Sequence, residues 1–321
     1  MNHNRITTAA IIFCLAMLAS APAFAQVDLA GTWAAKMHEE WIDKFHGPDI
    51  SDFLGLPLND SGRAKALSYS SSELAMPDHQ CLWYPPYYMM FGPQSLQIWS
   101  EDEPVTGRVI AWHISGASDR VPRTIWMDGR PHPSKNAAHT FDGFSTGEWD
   151  GTMLNVYTTH MKAGYIRRNG APTSDETTVT EHFVRHGNLI TITAVIDDPV
   201  YFSEPQVVSR SWQLDSDLVL NRYARGCTPV VEVERLGVTG TVPHYLPGQN
   251  PFADETIKMY NLPAEAVYGE AKTRYPEYRK TIKDIYVAPK YCVRYCCGWL
   301  PTSGPAGNDD APGLSCTPAV H

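Results

Sequence analysis

Thr177-Thr-Val-Thr-Glu-His-Phe-Val-Arg-His186, then Gly187-Asn188, then Leu189-Ile-Thr-Ile-Thr-Ala-Val-Ile196 is the stretch on which the fold turns. Apolar residues recur at every second position on either side of the Gly-Asn pair, the period of a strand and not of a helix. Gly187-Asn188 suits the tight two-residue turn that hairpins prefer. That turn pairs His186 with Leu189, Arg185 with Ile190, Phe183 with Ile192, Glu181 with Ala194 and Val179 with Ile196. One face then collects Val179, Glu181, Phe183, Ile190, Ile192, Ala194 and Ile196, with Arg185 at its rim. The other carries Thr178, Thr180, His182, Val184, Thr191 and Thr193. The first is the buried face, so Glu181 is a carboxylate set in an apolar wall.

Working outward, the same rhythm recurs at short spacing over Leu96–Trp99, Arg108–Ile114, Arg123–Met127, Phe144–Trp149, Met153–Met161 and Val207–Leu214. Turn residues separate most of these runs, which reads as an antiparallel meander closing into a barrel or sandwich. Asp60 is a suitable N-cap for a short helix over Asp60–Ser68. After residue 235 the pattern turns helical near Asp254–Tyr260, Pro263–Ala271 and Pro276–Ile285, with proline at the start of the last two. The expected organisation is a signal segment over 1–25, a β-barrel domain over 26–235, a helical extension over 236–290 and a Cys/Gly/Pro-rich tail over 291–321.

Arg5, the apolar run Ala9–Ala19 and Ala21-Pro-Ala23-Phe-Ala25 form a charged, an apolar and a small-x-small region, the pattern of a cleaved secretory signal. The apolar run is shorter than the roughly 20 residues a membrane span needs. The expected location is periplasmic or secreted, with no membrane insertion after cleavage. The net charge of −9, without a basic cluster, argues against nucleic acid. Six of the seven cysteines follow the signal, in a compartment where disulfides persist. Cys81 and Cys227, isolated in the β region, are expected to pair, while Cys292, Cys296, Cys297 and Cys316 crowd the tail.

The opening Asp28-Leu-Ala-Gly31-Thr-Trp33 resembles the Gly-x-Trp start of lipocalin-like barrels, in which the Trp packs across the closed end. A longer set of motifs comprises Ile125-Trp-Met-Asp128-Gly-Arg130-Pro-His132-Pro133, Gly143-Phe-Ser-Thr-Gly147-Glu-Trp149-Asp-Gly151, Thr158-Thr-His160 and Thr180-Glu-His182-Phe-Val-Arg-His186-Gly187. Over residues 27–285 it resembles a group of exported bacterial proteins of unknown function. The resemblance implies export and a bacterial source, and supplies no reaction. The expected fold is mainly β, an antiparallel lipocalin-like barrel with a C-terminal helical appendage.

A buried carboxylate must be paired or keep its proton. Arg185, two positions along the same face, is one candidate partner for Glu181. His160 is another: Leu154, Val156, Thr158 and His160 share a face of Met153–Met161, and if that strand neighbours Thr177–His186 the two meet as an acid–base pair. Asp128 and His132, with Arg130 and His139, sit in a Pro/Gly-rich loop fit to rim a pocket. The expected catalytic set is Glu181, His160, Asp128 and His132, and the expected ligand contacts are Arg185, Trp126, Tyr157 and Phe183. His182-x-x-x-His186 is too far spread along a strand, about 13 Å, to hold one ion. No phosphate loop, dinucleotide fingerprint or haem motif is present, so no cofactor and no metal are expected. Gly143-Phe-Ser145-Thr-Gly147 lacks the following helix of a nucleophile elbow.

The leading expectation is a barrel that binds a small, partly apolar molecule in its lumen. Acid–base chemistry by Glu181 with His160 (a lyase, isomerase or hydrolase) and a structural role in the envelope are the alternatives. A filled lumen would favour the structural role.

Overall fold

A computed structural model describes residues 27–36, 53, 55–68, 85–91, 95–116, 122–167, 169–220 and 252–285. Its strands are β1 Gly31–Ala35, β2 Leu96–Asp102, β3 Val109–Gly116, β4 Arg123–Trp126, β5 Phe144–Asp150, β6 Met153–Thr159, the short pair β7 Gly164–Tyr165 and β8 Pro172–Thr173, β9 Thr178–His186, β10 Leu189–Asp197 and β11 Gln206–Leu214. Its helices are α1 Asp60–Leu67, α2 Phe252–Tyr260, α3 Ala264–Tyr268 and α4 Pro276–Ile282, with 3₁₀ turns at Pro86–Met90 and Ala271–Arg274.

Nine strands close into a barrel in the order β1-β11-β10-β9-β6-β5-β4-β3-β2. The β9–β10 register is the one the Gly187-Asn188 turn dictates, with Glu181 opposite Ala194 and Phe183 opposite Ile192. Gly187, at φ +59, supplies the left-handed backbone this turn needs. A closed ring with an odd number of strands cannot alternate up and down all the way round, so one neighbouring pair must run parallel. That pair is β4–β5, with Ile125 opposite Ser145 and Trp126 opposite Thr146. The other eight pairs are antiparallel. The parallel step forces residues 127–143 to travel back along the outside of the wall before β5 can begin.

Alternation puts apolar side chains inside. Trp33, Ile98, Trp112, Ile125, Leu154 and Phe183 are among the buried residues that fill the barrel. Each such side chain contributes about 1.5–3 kcal/mol by leaving water. Outward positions on β9–β11 are Thr180, His182, Thr191, Thr193, Ser209 and Ser211, so the wall is apolar within and polar without, the inverse of a membrane-spanning barrel. No helix among the described residues is long and apolar enough to cross a membrane. Trp33, fully buried, closes one end: its Nε1 donates to the Leu29 carbonyl (3.1 Å), and the Arg185 guanidinium lies 5.1 Å from its ring centre. The 3₁₀ turn Pro86–Met90, buried throughout, packs against β10 and β11.

Asn59, not Asp60, caps α1, accepting from the Gly62 amide at 2.9 Å. Asp60 instead occupies the first turn, where its charge meets the positive helix end and pairs with Arg63. Pro276 opens α4 at its first turn, as expected, whereas Pro263 stands one position before α3 as its cap. The helical segment is tied to the 53–58 stretch by Phe53 N to Val267 O (3.1 Å) and Leu58 N to Gly269 O (3.0 Å). The signal segment, Cys81, Cys227 and the tail cysteines lie outside the described residues.

Candidate functional site

Glu181 is fully buried and faces inward, as its register requires. Its partner is Arg123, the first residue of β4, which shares the inward face with Ile125. Arg123 Nη1 donates to Glu181 Oε1 at 3.1 Å and Nη2 to Oε2 at 2.5 Å, a bidentate ion pair. The guanidinium also donates through Nε to Ser145 Oγ (3.2 Å) and through Nη2 to Thr158 Oγ1 (2.7 Å), and those two hydroxyls lie 2.9 Å apart. Charge in an apolar interior is tolerated only when paired and hydrogen-bonded in this way. Both carboxylate oxygens accept from the guanidinium, which holds Glu181 as the charged half of a buried pair.

The expected pairing of Glu181 with His160 does not occur. β6 ends at Thr159, one residue short of where alternation would carry His160 inward, and His160 takes φ +58. Its ring turns outward, with Nε2 on the Ser134 carbonyl at 2.9 Å. Arg185 is not the partner of Glu181 either. It caps the closed end, donating to the carbonyls of Gly187 (2.8 Å) and Asp28.

His160 belongs to a relay on the outer wall, under the returning segment 127–143. His132 Nε2 meets Thr146 Oγ1 at 2.9 Å and Nδ1 meets Thr159 Oγ1 at 2.8 Å, while Thr159 Oγ1 meets His160 Nδ1 at 2.7 Å. The Ser134 carbonyl can only accept, so with neutral rings it orders the whole chain. His160 Nε2–H donates to it, the Thr159 hydroxyl donates to His160 Nδ1, His132 Nδ1–H donates to Thr159, and the Thr146 hydroxyl donates to His132 Nε2. Phe144 and Tyr157 flank the His132 ring, each with its ring centre 5.1 Å away. The relay clasps the segment 127–143 to β5 and β6.

Burial first, and the neighbouring His160 second, hold His132 below the usual 6.5. A folded value below the unfolded one means that the unfolded chain binds more protons in acid. The His132 contribution to stability is therefore complete above pH 6.5 and declines as pH falls below it. Urea unfolding midpoints taken between about pH 7.5 and about pH 5 should fall with acid, with a slope from this group of at most about 1.4 kcal/mol per pH unit. His132→Gln should flatten that slope, and an unchanged profile in the variant would refute the assignment.

Asp128 is held down at about 2 by Arg130, chiefly through side-chain hydrogen bonds to Nε (2.9 Å) and Nη2 (2.5 Å). Arg130 in turn stacks 3.5 Å over the Trp126 ring. This exposed cluster is on the outer wall and does not face the lumen. Trp126 and Tyr157, the latter 44% exposed, also point outward, so neither contacts the interior. Of the expected ligand contacts, only Phe183 faces the packed interior. The reason is parity: Trp126 follows inward Ile125, and Tyr157 follows inward Val156.

A cleft lies where the 3₁₀ turn Pro86–Met90 meets the start of β2 at Leu96 and the end of β3 at Gly116. Pro86 and Met89 of the 3₁₀ turn and Leu96, Ile114 and Gly116 of the wall give it apolar sides, and the Arg123 guanidinium is its charged group. Its enclosed volume is about 20 Å³, room for about one water. Ser115 is buried, and its Oγ has no hydrogen-bond partner among the described residues. Arg123 was legible as an inward residue from its parity with Ile125. Ser115 alternates with inward Ile114, which sets its side chain on the outer face with Gln97 and His113.

A second buried carboxylate, Asp198, supports this cleft. It accepts from Ser174 N (2.5 Å), Ser174 Oγ (3.0 Å), Thr177 Oγ1 (2.9 Å) and the amides of Val200 and Tyr201 (both 2.9 Å). The loop so held presents Thr173 Oγ1 to the Tyr87 hydroxyl at 2.5 Å, which anchors the 3₁₀ turn. Burial pushes the Tyr87 phenol well above its ordinary value.

Among the described residues no group of three or more His, Cys, Asp and Glu is placed to hold a metal ion. Compared with protein-family models, curated proteins and solved structures, the chain matches none.

Proposed function

We propose that this protein is an exported barrel that binds a small, partly apolar molecule, and that the binding place is this cleft and not the interior. The observation that carries the reading is a buried guanidinium, Arg123, at the edge of a cleft with apolar walls from Pro86, Met89, Leu96 and Ile114. Binding sites typically pair a mainly apolar lining with a few placed polar groups. The packed interior then serves as a scaffold, and the Glu181 ion pair holds Arg123 rigidly at the edge of the cleft. Export rests on the segment Arg5–Ala25, and the family resemblance agrees with it.

Purified protein incubated with a periplasmic small-molecule extract and analysed by native mass spectrometry should retain a bound species. Ile114→Phe, whose larger ring fills the cleft beside Arg123, should abolish retention. A species retained equally by that variant, or none retained by the wild type, would overturn the reading. The latter result would favour a structural role in the envelope, to which the filled interior also lends support.

A further inference from the structure

We infer that residues 128–139 form a strap that acid releases from the outer wall while the barrel stays folded, with His132, His139 and His160 together as its latch. The inference stands apart from the cleft. None of residues 128–140 is fully buried, so little apolar burial holds this stretch down. Over 131–139, every hydrogen bond from strap to wall among the described residues passes through an imidazole. His132 of the strap meets Thr146 and Thr159 of the wall at 2.9 and 2.8 Å. The Ser134 carbonyl accepts from His160 at 2.9 Å, and His139 Nδ1–H donates to the Met161 carbonyl at 2.9 Å. Backbone bonds hold only the two ends, from Met127 N to Ile110 O and between Thr140 and residues 160 and 162.

The latch needs neutral rings. Thr159 gives its hydrogen to His160 Nδ1 and accepts from His132 Nδ1–H. A proton taken up at His160 Nδ1 makes that nitrogen a second donor aimed at one hydroxyl, whose own hydrogen then loses its acceptor. The new charge also stands across Thr159 from His132, and the His139 ring centre is 5.2 Å from that of His160. Among the described residues no carboxylate lies within ion-pair distance of these three rings, whereas His113 has Glu101 at 3.0 Å. The charged groups on the surrounding elements are Asp128 (held by Arg130), Lys135 and Asp142 on the returning segment, Glu148 on β5 and Lys162 after β6, with the Tyr157 phenol on β6. Burial, and then His160, already hold His132 below the usual 6.5. Released rings meet water and take up protons more readily, so acid favours the released strap. Release bares Phe144 and Tyr157, whose rings flank His132.

The test labels the alanine methyl groups of the full mature chain with carbon-13 and follows them by NMR from about pH 8 to about pH 5. Ala137 and Ala138 report the strap, and buried Ala194 reports the wall. The strap methyl signals should move to unstructured positions with a midpoint between about pH 6.5 and about pH 5, while Ala194 stays native. The ratio of released to clasped strap should rise about ten-fold per pH unit for each ring that gains its proton on release. Replacing all three rings should make the strap signals independent of pH. His132→Gln and His139→Gln serve for two, and His160→Asn for the third, because residue 160 is left-handed. His113→Gln, outside the latch, should leave the transition where it is. Where circular dichroism shows the triple variant unfolded, His139→Gln alone must make the transition shallower. Strap and Ala194 signals moving together, a strap still native at about pH 5, or a triple variant releasing at the wild-type pH would each overturn the inference.

Discussion

Glu181→Ala should lower the unfolding free energy by about 3–5 kcal/mol, the cost of stranding one charge of a buried pair. The charge left behind is that of Arg123, 4% exposed and enclosed by the wall. Ser145 and Thr158 still accept from it but carry no charge. Urea unfolding would show the loss as a lower midpoint at unchanged slope. The double replacement Arg123→Met with Glu181→Leu removes both charges and should recover most of the loss, because well-packed apolar pairs often match buried ion pairs. A single variant within about 1 kcal/mol of the wild type would show that the pair is solvated, not sealed, and would remove the electrostatic basis for Arg123 at the cleft.

Asp198→Ala should cost about 3 kcal/mol or more, since each buried donor left without an acceptor costs about 1–3 kcal/mol. Five hydrogen bonds converge on that carboxylate, from three backbone amides and two hydroxyls. Their loss should first appear as faster hydrogen exchange at the Ser174, Val200 and Tyr201 amides. The effect should reach the cleft, because the same loop holds Tyr87 through Thr173 and Tyr87 belongs to the 3₁₀ turn that forms one side of it. Loosened exchange at Asp198 with undisturbed Met89 and Tyr87 would separate the two. Stability and binding would then be independent features of this end of the barrel.

The outer-wall relay and the inner ion pair are built from segments that stand close in the motif pattern. Thr146 and Ser145 are neighbours on β5, Thr158 and Thr159 on β6, and in each pair one residue faces in and the other out. A wall one strand thick thus carries two unlike polar systems back to back. The inner one is sealed and ionic. The outer one is hydrogen-bonded, partly exposed and responsive to acid through His132.

Local alternation made the wall legible in advance. Thr177–Ile196 contains its own turn, so every pairing within it spans a short loop, and the burial of Glu181 followed from parity alone. The same parity separates inward Ile125 from outward Trp126, though counting aromatic residues as lumen contacts obscured it. What alternation cannot supply is where a strand stops. β6 ends at Thr159, and a single left-handed residue there sends His160 outward, so extending the strand by one turn of the pattern placed that ring on the wrong side.

From the chain alone came the hairpin, the strands, the inward acid and the helical appendage, because each depends on contacts between residues near in sequence. Ring closure decided the rest. Only a closed ring of nine strands requires the parallel β4–β5 step, sends residues 127–143 outside, and brings Arg123 to Glu181, 58 positions away. Such partners meet through the geometry of the whole wall, and no local period encodes them.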